Sequence, residues 1–198
     1  MAKTCDKTTL YESLNHCKGK SVYPGIRGVI YGSPKSNITK WPTLAEDAKL
    51  KMNELSVYKG SFTMALESKF HRIDLSMEKG AFEFETQGEG ENITTLNKLN
   101  VKHPEIDEDA AAYCRQATSD DMVYVFRQRD GKWRVLGNEM FPTVVKAKGG
   151  SGEGTGGEVG TSLEINCTDV CPCPFYVGTL DTAEDGSIAC GPTPPEAA

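Results

Sequence analysis

The stretch Ala81-Phe-Glu-Phe-Glu-Thr86, followed by Gln87-Gly-Glu-Gly-Glu91 and by Ile93-Thr-Thr-Leu-Asn-Lys-Leu-Asn-Val101, decides how the chain folds. Phe82 and Phe84 alternate with Glu83 and Glu85, and Thr95, Asn97 and Leu99 resume the period of two after the turn. Successive side chains of a strand point to opposite faces, so this alternation specifies two half-buried strands. Residues 81–101 therefore read as a long antiparallel hairpin with a protruding acidic tip. Its polar side carries Glu83 and Glu85 and continues to Glu89 and Glu91.

Downstream, Glu105 to Ala117 is the one convincing helix. Pro104 suits its start, Glu105, Asp107, Glu108 and Asp109 complement its dipole, and Ile106, Ala110, Tyr113, Cys114 and Ala117 share an apolar stripe. Met122–Arg127 and Lys132–Leu136 flank Asp130-Gly131, a strong hairpin signal. A strand is expected from Glu139 to Val145. Residues 149–160, with seven glycines in twelve, read as a flexible loop, and Ser162–Val170 and Phe175–Leu180 as the last strands.

Upstream, Val22–Tyr31 reads as a turn leading into a strand that ends at Gly32-Ser33-Pro34. Thr43 to Asn53 reads as a short helix or an irregular connection. Ser61–Leu66 and Phe70–Leu75 are β-rich runs joined at hairpin length by Glu67-Ser68-Lys69. About ten short strands against one helix, without βαβ alternation, give a mainly β fold. The expected architecture is an antiparallel β-sandwich or barrel with one flanking α-helix and a long protruding hairpin. It spans residues 21–180, preceded over 1–20 by an N-terminal arm or a short helix from Thr8 to Asn15, and followed by a tail over 181–198.

The 28 acidic residues exceed the 22 basic ones, for a formal net charge of −6, and no long run of Lys or Arg occurs. Gripping nucleic acid requires cations that neutralise phosphates, so tight DNA binding is disfavoured. The apolar stretches fall far short of the ~20 residues that span a bilayer, and the N-terminus has no apolar signal core. A soluble, unexported chain without a membrane partner is expected.

Seven cysteines and three histidines are present. In a reducing compartment they are free thiols or metal ligands rather than a disulfide framework. Cys167, Cys171 and Cys173 form the one suggestive cluster, but the spacing fits zinc poorly, since Cys171-Pro-Cys173-Pro reads as a stiff extended segment. Thiols packed as small hydrophobes are the favoured reading. Gly152-Glu-Gly-Thr-Gly-Gly157 matches G-x-G-x-x-G, but it leads into a strand rather than a helix and carries Glu153 where a phosphate would bind. Asp107-Glu-Asp109 and Asp120-Asp121 are the only carboxylate clusters of catalytic interest, and no Ser/His/Asp arrangement accompanies them. No enzyme activity and no cofactor are expected.

The acidic hairpin admits two readings: the solvated face of a sandwich, or one segment of a ring in which hairpins from many subunits form a barrel with an acidic inner wall that lets DNA slide past. Ser21-Val-Tyr-Pro-Gly-Ile-Arg-Gly28, Trp41-Pro-Thr-Leu44, Phe82–Leu99 with Glu85-Thr-Gln-Gly-Glu89, His103-Pro104, and Tyr124 through Gly131-Lys-Trp-Arg-Val-Leu-Gly-Asn-Glu-Met-Phe141 carry a family resemblance. Over most of residues 21–180 the chain resembles structural proteins of tailed phages and prophages of Bacteroides-like bacteria, and among them the tail tube (major tail) protein. The resemblance implies a two-sheet barrel flanked by a helix, self-association into stacked hexameric rings, contacts with other tail proteins, and DNA passing through without specific binding. It implies assembly in the host bacterial cytoplasm and residence in the virion. Glu83, Glu85, Glu89 and Glu91 would face the lumen, and Met1–Lys20 and Gly149–Gly160 would join rings. The alternatives are a tail-completion or head-decoration protein, or a cytosolic β-domain binding a metal or ligand through Cys167, Cys171 and Cys173.

Overall fold

Met122, Val123, Tyr124, Val125 and Phe126 are consecutive, and none is more than 5% exposed. A strand buried on both faces needs a layer on each side, and the protein is arranged around this one. The computed structural model describes residues 11–16, 18–19, 21–44 and 51–191. In chain order the strands are β1 (Ile26–Pro34), β2 (Ile38–Lys40), β3 (Thr43–Leu44), β4 (Val57–Lys59), β5 (Thr63–Met64), β6 (His71–Asp74), β7 (Ala81–Gln87) and β8 (Thr94–His103). Helix α1 (Glu108–Ala117) follows, then β9 (Met122–Gln128), β10 (Trp133–Leu136), β11 (Thr143–Gly150), β12 (Gly160–Asp169), β13 (Phe175–Thr182) and β14 (Gly186–Cys190).

The fold is mainly β and sandwich-like, and neither large sheet closes into a barrel. One sheet runs β3-β4-β13-β10-β9-β1-β6, with β14 paired to β13; the other runs β11-β12-β8-β7. Between them lies the main core, where Ile30, Tyr124, Phe126 and Leu136 of the large sheet meet Leu99, Val101, Val145, Leu163 and Ile165 of the small one. Alternation then sends Val123, Val125, Trp133 and Val135 to the opposite face, where Tyr58, Phe62, Phe70, Tyr176 and Leu180 form a second core. Ile38, Trp41, Leu44, Met64 and Ile188 cover that second core.

The long hairpin forms as expected, with Phe82 opposite Leu99 and Gln87 opposite Thr94. Arg134 fastens its edge strand to the large sheet. Its guanidinium lies 4.6 Å from the Phe82 ring centroid and 3.9 Å from that of Phe175, and it donates to the Cys173 carbonyl at 2.6 Å. The Asp130-Gly131 hairpin also forms. Gln128 N–H donates to Lys132 O, which leaves a three-residue loop in which Gly131 takes φ +92°.

Several expectations are corrected. Helix α1 begins at Glu108, because Asp107 takes extended backbone and its carboxylate accepts from Ala110 N–H at 2.8 Å, ending the helix there. Ile106 lies outside it. The runs at 61–66 and 70–75 do not pair with each other: β5 joins β2, and β6 joins β1, which places Ile73 in the main core. The expected strand from Glu139 begins only at Thr143, and it continues into the glycine-rich segment, where Gly150 pairs with Gly160. The loop is thus confined to 151–159, with a 3-10 turn at Gly154–Gly156. The expected tail contains β14, whose Cys190 is fully buried, so residues 181–190 belong to the domain. Cys171 to Cys173 is a series of bends, with Cys173 at φ +35°, rather than an extended segment. Of the arm or short helix expected over residues 1–20, Tyr11–Asn15 has no regular secondary structure and Thr8–Leu10 lie outside the described residues. Most of Thr43–Asn53 is likewise outside, between β3 and a 3-10 turn at Met52–Ser56. Among the described residues no helix is long and apolar enough to cross a membrane.

Candidate functional site

The small sheet has one covered face and one open face. In β8 the residues Thr95, Asn97, Leu99 and Val101 are buried, and Leu96, Lys98, Asn100 and Lys102 face outward. Register extends that outward face across the sheet: Glu83 lies opposite Lys98, Lys98 opposite Asn166, and Asn100 opposite Glu164, which lies opposite Lys146. One row further on, Lys102 lies opposite Ser162, and Ser162 opposite Lys148.

Glu83 and Glu85 therefore sit on the open face of the edge strand β7, and Glu89 and Glu91 sit in the turn beyond it, all four exposed. The structure brings the four to one edge and its tip. Glu85 is paired with Lys98 at 3.0 Å. The tip turns on Gly88 and Gly90, at φ +96° and +64°.

Five lysines share the surface: Lys79, Lys98, Lys102, Lys146 and Lys148. The two edges of the open face therefore differ in charge, acidic along β7 and basic along β11, with Lys98, Lys102 and Glu164 between them. Glu158 reaches back from the glycine-rich loop to Lys79 at 2.8 Å and to Lys102 at 2.9 Å. These two donors hold its carboxyl well below the usual range, at about 2. Lys146 lies 3.6 Å from Glu164. Together these side chains, Lys148 included, line a groove of about 440 Å³. The period of two that marks Glu83 and Glu85 in the sequence also marks Lys98 and Lys102, and Lys146 and Lys148; that signal points to the basic half, which sequence reasoning missed.

The other candidate residues are committed elsewhere. Cys167, Cys171 and Cys173 are buried; the Cys167 thiol donates to Thr168 O at 3.3 Å and the Cys173 thiol to Val135 O at 3.4 Å. The Cys171 carbonyl and the Cys173 N–H are both held by the Asn97 amide. Burial pushes all three thiols up, Cys171 to about 11, so they stay protonated at neutral pH. Among the described residues no group of three His, Cys, Asp or Glu side chains is placed to hold a metal ion. Cys5 and Cys17 lie outside those residues. Asp107 caps α1, and Asp121 pairs with Lys35 at 2.7 Å while accepting from Thr143 N–H. Comparison with protein-family models, curated proteins and solved structures finds no match for this chain.

Proposed function

We propose that this protein is a non-enzymatic structural subunit that self-assembles through its small sheet into rings, stacked as the tail tube of a phage. The reading is supported by one observation above all. The order β11-β12-β8-β7 ends on two strands that have no further partner among the described residues, one acidic and one basic. An unpaired edge is a template for another chain.

All three pairings in the sheet are antiparallel, so its first and last strands run in opposite directions. Rotating one copy beside the next about a ring axis lays β7 antiparallel to the neighbour's β11. In the sheet's own register the neighbour's Val144 then faces Glu83 and its Lys146 faces Ala81, so that Glu83 and Lys146 are diagonal neighbours within side-chain reach, and repeating that heterologous contact closes a ring when the rotation closes. The open faces become one continuous wall. Glu83, Glu85, Glu89, Glu91, Glu158 and Glu164 slightly outnumber the five lysines on it. Such a wall holds a passing duplex only weakly, because few phosphates find an unpaired cation. On this reading the virion is the protein's location and other tail proteins are its neighbours, as the resemblance to tail tube proteins implies.

Sedimentation velocity over a concentration series tests the reading. Oligomers in whole multiples of one ring's subunit number are expected, while a monomer at every accessible concentration would remove the basis for a ring.

A further inference from the structure

The wall has a second asymmetry, along the strands rather than across them. The hairpin tip carries Glu89 and Glu91 with no cation paired to either among the described residues, while the lysine groove lies at the other end of the same strands. From Thr94 beside the tip to Lys102 in the groove is eight residues of β8, about 27 Å of strand. The tip of one molecule cannot fill its own groove.

Within the groove the charges are unbalanced. Glu158 is shared by Lys79 and Lys102, Glu164 accompanies Lys146, and Lys148 has no carboxylate partner among the described residues. Four ammonium groups therefore face two carboxylates, leaving two positive charges. A tip with two free carboxylates supplies that number.

We infer that the groove lined by Lys79, Lys102 and Lys148 receives the Glu89–Glu91 tip of a second copy of this chain. The contact is heterologous: each copy offers a tip at one end and a groove at the other, so it propagates along the strand direction without closing. It deepens the ring reading, on which it rests for its setting, by assigning the contact that stacks one ring on the next. The side contact through β7 and β11 closes the ring; the end contact lets rings stack without limit. The tip carboxylates and the Lys148 ammonium are exposed, so salt screens the contact.

The experiment is zero-length carbodiimide coupling of a mixture of ¹⁴N- and ¹⁵N-labelled protein, followed by peptide mass spectrometry. Mixed-isotope isopeptides joining Glu89 or Glu91 to Lys79, Lys102 or Lys148 are expected, lost in the variant Glu89→Gln with Glu91→Gln. That variant should keep its melting temperature and its rings while losing stacked tubes. Absence of those isopeptides from the wild-type protein overturns the inference, as does protection of Lys102 and Lys148 from acylation by duplex DNA without protection by rising protein concentration. Rings without tip-to-groove coupling would overturn this contact and leave the ring reading standing. Tip-to-groove coupling in open chains without rings would do the reverse.

Discussion

Glu158 shows how much of the open face depends on single side chains. It is solvent-exposed, yet two ammonium groups at 2.8 and 2.9 Å hold its carboxyl at about 2 against the usual 4.5. A depressed carboxylate stabilises the folded chain fully above its unfolded value and loses that contribution as pH falls toward its folded value. Glu158→Gln should therefore melt below the wild-type protein at pH 6, with the gap narrowing as the pH drops from 4.5 toward 2. A gap constant over that range would mean that the bridge contributes nothing to folding. The thiols give a second residue-scale test. Iodoacetamide at pH 8 should leave Cys167, Cys171, Cys173 and Cys190 unmodified until denaturant is added; rapid alkylation of Cys171 in the native protein would contradict its burial. Neither arrangement was legible in the sequence. Glu158 meets Lys79 and Lys102 across 79 and 56 residues of chain, and no local pattern encodes such a meeting.

At the scale of elements, legibility follows the range of the interaction. The β7–β8 hairpin and the β9–β10 hairpin were readable because alternation and a glycine turn are local properties. In the second, Gly131 sits at φ +92° with its nearest would-be Cβ neighbour 3.5 Å away. Gly131→Ala should thus meet backbone strain alone and lower the unfolding free energy by about 1 kcal/mol, read from the denaturant midpoint. Where partner choice is tertiary, reading from sequence fails. The runs at 61–66 and 70–75 have hairpin spacing, but the second run feeds both cores, Phe70 the second and Ile73 the main one, and that burial is not encoded in the spacing. Strand β14 was missed because its alternation is weak, with Ile188 and Cys190 its only apolar inward residues. Leu99, fully buried at the centre of the small sheet, supports both the hairpin and the main core. Leu99→Ala should cost about 2–5 kcal/mol in denaturant unfolding, whereas a loss below 1 would indicate that the two sheets are not packed through it.

For the whole molecule, the mainly β sandwich and its protruding acidic hairpin were readable from the sequence, while the opposite charge of the open face's two edges was not. Glu83 and Glu85 lie where alternation puts them, but the lysines that balance them come from three other segments and meet only in the sheet. Opposite charges at opposite edges and opposite ends separate a merely solvated face from one that can join copies of itself. Glu83→Lys with Glu85→Lys should leave the melting temperature nearly unchanged, since both side chains are exposed, while weakening the side contact and slowing DNA ejection from any particles that assemble. Unchanged ejection would show that this face does not line the channel. The most direct test is a negative-stain image of the purified protein at high concentration. The account predicts rings or stacked tubes of uniform diameter; a field of isolated monomers at every concentration would contradict it.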